Sequence, residues 1–234
     1  MKRLNEFVLE KLKVSKIETK YHPTSKDELV DIIIKEIETN GPECSLNHID
    51  VSNITDMSDL LDGHPLLREF DGDISDWDVS NVTDMRYMFN SCKYSGKNGD
   101  ISEWDVSNVK YMAFMFANSK YNGDLSNWDV SNVTNTRYMF KNCKYTGKNG
   151  DISNWNVSNV TNMEGMFANS KYNGDLSNWD VSKVEWFFEM FINSSFNGDI
   201  SKWQINLNAE GRMNGMFIGS PLENNPPKWY YKYR

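Results

Sequence analysis

The sequence is poor in the features that announce a secreted, membrane or nucleic-acid-binding protein. It has only three cysteines in 234 residues, too few for a disulfide framework. No stretch approaches the ~20 apolar residues of a membrane helix. The start, Met1-Lys2-Arg3-Leu4-Asn5-Glu6-Phe7, mixes charges into its apolar residues and lacks the continuous apolar core of a secretory signal. Free thiols and no signal predict a cytoplasmic address. Basic residues are outnumbered, 25 Lys and Arg against 33 Asp and Glu, for a net charge of −8. That excess speaks against nucleic acid as a partner, because phosphate binding needs a basic face. The three histidines, His22, His48 and His64, are isolated, and no Cys/His cluster has zinc spacing. No metal or other cofactor is expected.

What the chain has in quantity is large apolar groups: eight Trp, twelve Phe and twelve Met. That is too many for a solvated coil. Their placement is periodic. Tryptophans stand at 77, 104, 128, 155, 179 and 203, spaced by 27, 24, 27, 24 and 24 residues. Each sits in the same surroundings, as in Gly72-Asp73-Ile74-Ser75-Asp76-Trp77-Asp78-Val79-Ser80-Asn81-Val82-Thr83-Asp84-Met85. The extra three residues come from one insertion, seen in Ser95-Gly96-Lys97-Asn98-Gly99. Residues 78–128 match 129–179 at 40 of 51 positions, a tandem duplication of a two-repeat unit. A period of 20–29 residues predicts stacked repeats of the leucine-rich kind.

Within a repeat, Ile74, Trp77 and Val79 follow a Leu-x-x-Leu-x-Leu strand pattern, with Asp76, Asp78 and Ser80 facing out. Val82, Met85, Met88 and Phe89 then fall at helical spacing, and Ser80, Ser107, Ser131, Ser158 and Ser182 recur where a helix N-cap belongs. The expected fold class is therefore α/β, a leucine-rich-repeat-like solenoid of short parallel strands and helices. Residues 46–61 read as one more repeat with Ile in place of Trp, and Ile205, Met213, Met216 and Phe217 as a degenerate last one, giving about seven layers and roughly 30 Å of parallel sheet. Cys92 and Cys143, two repeats apart, then stand roughly 10 Å from each other, too far to bridge.

Open ends of such an array need caps. Residues 1–45 read as a helical N-terminal cap. Leu4, Phe7, Val8 and Leu12 mark a first short helix. Ser25-Lys26-Asp27-Glu28 opens a second, with Leu29, Ile33 and Ile37 on one face and Gly41 ending it. Residues 46–217 form the repeat array. Residues 218–234 are too proline-rich for a helix and read as an aromatic C-terminal cap laid over the last layer.

The run Trp77-Asp78-Val79-Ser80-Asn81-Val82-Thr83-Asp84-Met85, closed by Met88-Phe89, resembles the bacterial surface-protein repeat called the BspA-type leucine-rich repeat, or domain of unknown function 285. The resemblance covers about residues 46–217. It implies an α/β solenoid that binds proteins or attaches to surfaces, with no catalytic activity. The chain departs from the family in having no secretion signal or visible anchor. Short versions of that kind, which the resemblance associates with gut bacteria and their phages, make a phage particle a second expected address.

The candidate binding residues lie on the exposed strand positions. One ladder runs through Asp76, Glu103 and Asn127, and the next through Asp78, Asp105, Asp129 and Asp180. Like charges about 5 Å apart repel, so an acidic face at the N-terminal end favours a basic protein partner; the same groups also read as a solvated face bonded between layers. The Gly-Asp column Asp73, Asp100, Asp124, Asp151, Asp175 and Asp199 suits turn capping better than calcium, whose β-rolls repeat every nine residues. The Trp column reads as core rather than as a sugar platform. The Asn-x-Thr motifs at Asn53, Asn81, Asn132 and Asn159 match glycosylation acceptors but recur as part of the repeat. Carboxylates are abundant, yet none is singled out as a catalytic pair. The sequence thus predicts a non-enzymatic module that binds another protein. A structural part of a larger assembly, docked through its N-terminal segment, is the alternative, and a hydrolase the third.

Overall fold

The computed structural model describes residues 19–233; the first expected helix, around Leu4 to Leu12, lies outside them. Helix α1 spans Lys26–Asn40. Ser25 Oγ accepts the Glu28 N–H, and Gly41 (φ 86°) closes the helix by donating its N–H to Ile37 O. Leu29, Ile33 and Ile37 are buried. Lys26 Nζ reaches Asp56 and the Ser58 carbonyl, so α1 lies against the first repeat. Among the described residues two further α-helices are single turns, α2 at Pro65–Arg68 and α3 at Tyr230–Tyr233.

Apart from the single turn Pro65–Arg68 and a 3-10 turn at Leu207–Ala209, the repeats hold neither helices nor strands, which overturns the α/β expectation. No sheet of seven layers forms. What remains of sheet among the described residues is isolated parallel bridges: Tyr21 to Ile49 and Ser45 to Asp73 at the N-terminal end, then Asp56 to Asp84, Asp84 to Tyr111, Tyr111 to Asn135, Asn135 to Asn162 and Asn162 to Trp186 along the repeats.

The physical reason is visible in the segment 85–92. An α-helix must send every N–H to its own chain four residues back. Here alternate N–H groups leave the repeat: Met85, Tyr87, Phe89 and Ser91 donate to the Tyr111, Ala113, Met115 and Ala117 carbonyls of the next. The N–H groups between them close tight turns, Met88 to Met85, Asn90 to Tyr87 and Cys92 to Phe89. Tyr87 (φ 58°) and Ser91 (φ 55°) take the left-handed backbone that the third position of a type II turn requires. Chained turns bury residues 82, 85 and 88 at a spacing of three, which the helical reading also fits. The expected strand is likewise two turns, Trp77 N–H to Ile74 O and Val82 N–H to Val79 O.

The serine column changes role with this. Ser80 donates both its N–H (3.1 Å) and its hydroxyl (2.6 Å) to Asp78 Oδ1. The acceptor that caps is Asp78, not Ser80. Asp73, Asp100, Asp124, Asp151, Asp175 and Asp199 hold the N–H of the serine two residues on in the same way. The amides of Asn81, Asn132 and Asn159 tie repeats together, donating to the Ser52, Ser107 and Ser131 carbonyls.

The core is a set of side-chain columns. Phe89, Phe116, Phe140, Phe167, Phe191 and Phe217 stack with ring centroids 5.3–6.0 Å apart. The six tryptophans of the repeat column are buried, and each of their indole N–H groups donates to a carbonyl of the preceding repeat, from Trp77 to Leu46 (3.0 Å) through Trp203 to Leu176 (2.9 Å). The tail supplies one more: Trp229 stacks on Trp203 at 6.2 Å and donates to Ile200 O at 2.9 Å.

Candidate interaction surface

Asp76, Asp78, Glu103, Asp105, Asn127, Asp129 and Asp180 are all exposed. They lie on turns, not on a strand face, and each acidic column follows the stack. Asp78, Asp105, Asp129 and Asp180 spend one oxygen on the serine N–H two residues on, at 3.0–3.1 Å. These hydrogen bonds, led by the serine hydroxyl, pull the carboxyls of Asp105 and Asp180 below the ordinary aspartate range. Asn127 Nδ2 donates to Glu103 Oε1 at 3.2 Å. Among the described residues none of these carboxylates forms an ion pair.

Further along each repeat runs a second surface that the helical reading hid. Tyr87, Phe114 and Tyr138 form a half-buried row with centroids 4.6 and 4.9 Å apart. Tyr111, 43% exposed, flanks the row. Guanidinium groups lie over the rings: Arg86 over Tyr111 (5.5 Å), Arg137 over Tyr138 (5.0 Å) and Arg212 over Trp186 (4.1 Å). Lys141 Nζ sits 4.8 Å from the Tyr138 ring. Glu164 ties the middle of the strip, accepting from Arg137 Nη2 and from Tyr138 Oη, both at 3.0 Å.

The row ends at Gly165 for a steric reason. A Cβ there would meet Tyr138 Cε1 at 1.9 Å, and the residue has φ 57°. Glycine alone lets the tyrosine ring lie over the backbone of the next repeat. The signal for this strip was in the sequence, as aromatic residues standing between the apolar columns at 87, 111, 114, 138, 186 and 188. A helix over Val82 to Phe89 leaves such positions off its buried stripe, with no surface shared between repeats.

Cys92 and Cys143 are buried, and burial pushes their thiols up to about 12 and about 11, so neither is a ready nucleophile. Among the described residues no group of three His, Cys, Asp or Glu side chains is placed to hold a metal ion. Among them, too, no helix is long and apolar enough to cross a membrane.

No curated protein and no solved structure matches the chain. A family model does, twice, over residues 35–149 and 121–229, and together these cover most of the sequence. The repeats that build both surfaces are therefore those of the family described as Mycoplasma protein of unknown function, DUF285, and the chain belongs to it.

Proposed function

We propose that this protein is a non-enzymatic interaction module that binds another protein through its repeat surface, with the aromatic–arginine strip as the contact face. The observation that carries the reading is the composition of the strip. Tyr, Trp and Arg dominate binding hot spots because they combine large apolar area with a polar handle. Here they occupy outward columns that other repeats fill with Asp, Asn, Glu, Ala or Gly without disturbing the stack. The resemblance of the repeat to the BspA type, which implies protein binding, supports the same reading.

The test is affinity capture from a bacterial lysate with the wild type and an Arg86→Gln/Tyr111→Ala double variant, quantified by mass spectrometry. Both side chains are exposed, so folding is preserved. A partner held by the wild type and lost about tenfold by the variant, roughly 1.4 kcal/mol, is the expected result. Equal recovery by both removes the strip from the interface.

A second reading puts the contact on the acidic face. Asp76, Asp78, Glu103, Asp105 and Asp129 crowd five carboxylates into three repeats with no cation paired to them among the described residues. A basic surface approaching that field would be steered by it, with strong salt dependence.

A further inference from the structure

The two faces complement each other in charge and in spacing. In the three repeats that carry Tyr87, Phe114 and Tyr138, the strip holds four cations, Arg86, Lys110, Arg137 and Lys141, against one carboxylate of those repeats, Asp84, with Glu164 reaching in from the next. Lys110 and Lys141 form no ion pair among the described residues. In a chain of net charge −8 this is a local basic patch. The same three repeats carry the densest part of the acidic face. Both gradients then stop at one place: the following repeat has Asn154 and Asn156 on the acidic columns and Glu164 on the strip.

We infer that the strip is occupied by a second copy of this chain, whose acidic face lies along it side by side, repeat against repeat. An unrelated acidic protein would have to match the inter-repeat rise by chance. A second copy matches it automatically, because one stack sets the spacing of both ladders. A sugar chain fits less well: Tyr87 and Phe114 lie face to face within 8° and cations cover other ring faces, so edges rather than faces point outward. Ring edges carry partial positive charge and suit carboxylates. The contact is heterologous, using different faces of the two copies, so each added copy leaves one strip and one acidic face open and rows grow beyond the dimer. This inference rests on the reading of the strip as a binding face.

Sedimentation velocity of the full chain tests it. At about 10 mM salt, where the Debye length is ~30 Å, the wild type should show a sedimentation coefficient that rises with concentration past that of a dimer. In about 1 M salt, where screening acts within ~3 Å, it should return to monomer. An acidic-face variant, Asp76→Asn/Asp78→Asn/Glu103→Gln/Asp105→Asn, keeps the turn acceptors, as Asn156 already does for Ser158 at 3.2 Å. A strip variant, Arg86→Gln/Lys110→Gln/Lys141→Gln, removes charge at two exposed residues and one half-buried one and touches none of the core columns. Each alone should be monomeric at concentrations where the wild type associates. Mixed one to one they should form a pair and stop there, since each supplies the face the other lacks. A wild type that stays monomeric at low salt, association that survives either variant, or a mixture that does not pair would overturn the inference. A monomeric wild type that still captures a different protein through Arg86 and Tyr111 would overturn it and leave the proposed function standing.

Discussion

A buried indole has one N–H to place, and each of the six column tryptophans, Trp77 to Trp203, places it on the repeat before. Trp128 donates to Ile101 O at 2.9 Å while its ring is 3% exposed, so one side chain supplies both core volume and an inter-repeat bond. Trp128→Ala should therefore cost about 3–5 kcal/mol through the cavity, with about 1–3 kcal/mol more if no donor replaces the indole at Ile101 O. Trp128→Phe, which keeps a ring and loses the donor, should cost less than half as much. Equilibrium denaturation of the three proteins checks the order; a melting curve unmoved by Trp128→Ala would contradict the inward column.

At the scale of the element, the unit is the Asp-x-Ser turn. It recurs because a carboxylate next to two donors fixes a bend that backbone hydrogen bonding alone leaves open. Hydrogen bonds from the serine hydroxyl and N–H hold Asp50, Asp105 and Asp180 below the usual carboxylate range, and those led by the serine N–H do the same for Asp175 and Asp199. Glu36 is lowered too: burial raises it, but donation from Tyr21 Oη and Lys20 outweighs the burial. A carboxyl with a depressed folded pKa binds fewer protons folded than unfolded. Its contribution is present above the unfolded value near pH 4 and disappears as the pH falls through the folded value. Thermal melts should thus hold steady from about pH 7 to 5 and drop steeply below about pH 4. Asp105→Asn/Asp180→Asn should lower the neutral-pH melting temperature slightly and flatten the acid limb. Parallel limbs for variant and wild type would mean these turns do not titrate with folding.

For the whole molecule, the decisive feature is how the stack ends. Each repeat is irregular coil in which alternate N–H groups, those of Met85, Tyr87, Phe89 and Ser91 in one repeat, find their partners in the next, so a terminal repeat depends on what covers it. Helix α1 covers the first. At the other end Trp229 repeats the indole bond and ring stack of the internal tryptophans from a segment outside the repeat, and Phe217 packs edge-on to Tyr230 at 5.0 Å. Trp229→Ala should cost about 2–3 kcal/mol, less than at Trp128 because Trp229 is only half-buried. The loss should also be local. Hydrogen exchange at the amides of Met216 and Ile218 should accelerate while those of Phe116 and Phe140 hold. Uniform acceleration along the chain would mean that the stack unfolds only as one unit.

The sequence alone determined the repeat, the buried columns and the turn-capping aspartates of the Gly-Asp column. Trp77, Met85, Phe89 and Tyr94 recur at fixed offsets, and burial of a recurring large apolar residue follows from hydrophobicity whatever the backbone does. The sequence also placed the exposed acidic ladder by residue number. It did not determine the backbone, because a spacing of three between Val82, Met85 and Met88 is met equally by a helix and by chained turns. That choice depends on whether an N–H bonds within its own repeat or to the neighbour, and the neighbour exists only in the stacked molecule. The aromatic–arginine strip was lost for the same cause: Tyr87, Tyr111 and Tyr138 share a surface with Arg86 and Arg137 only once successive repeats lie in register, since no two of those tyrosines belong to one repeat.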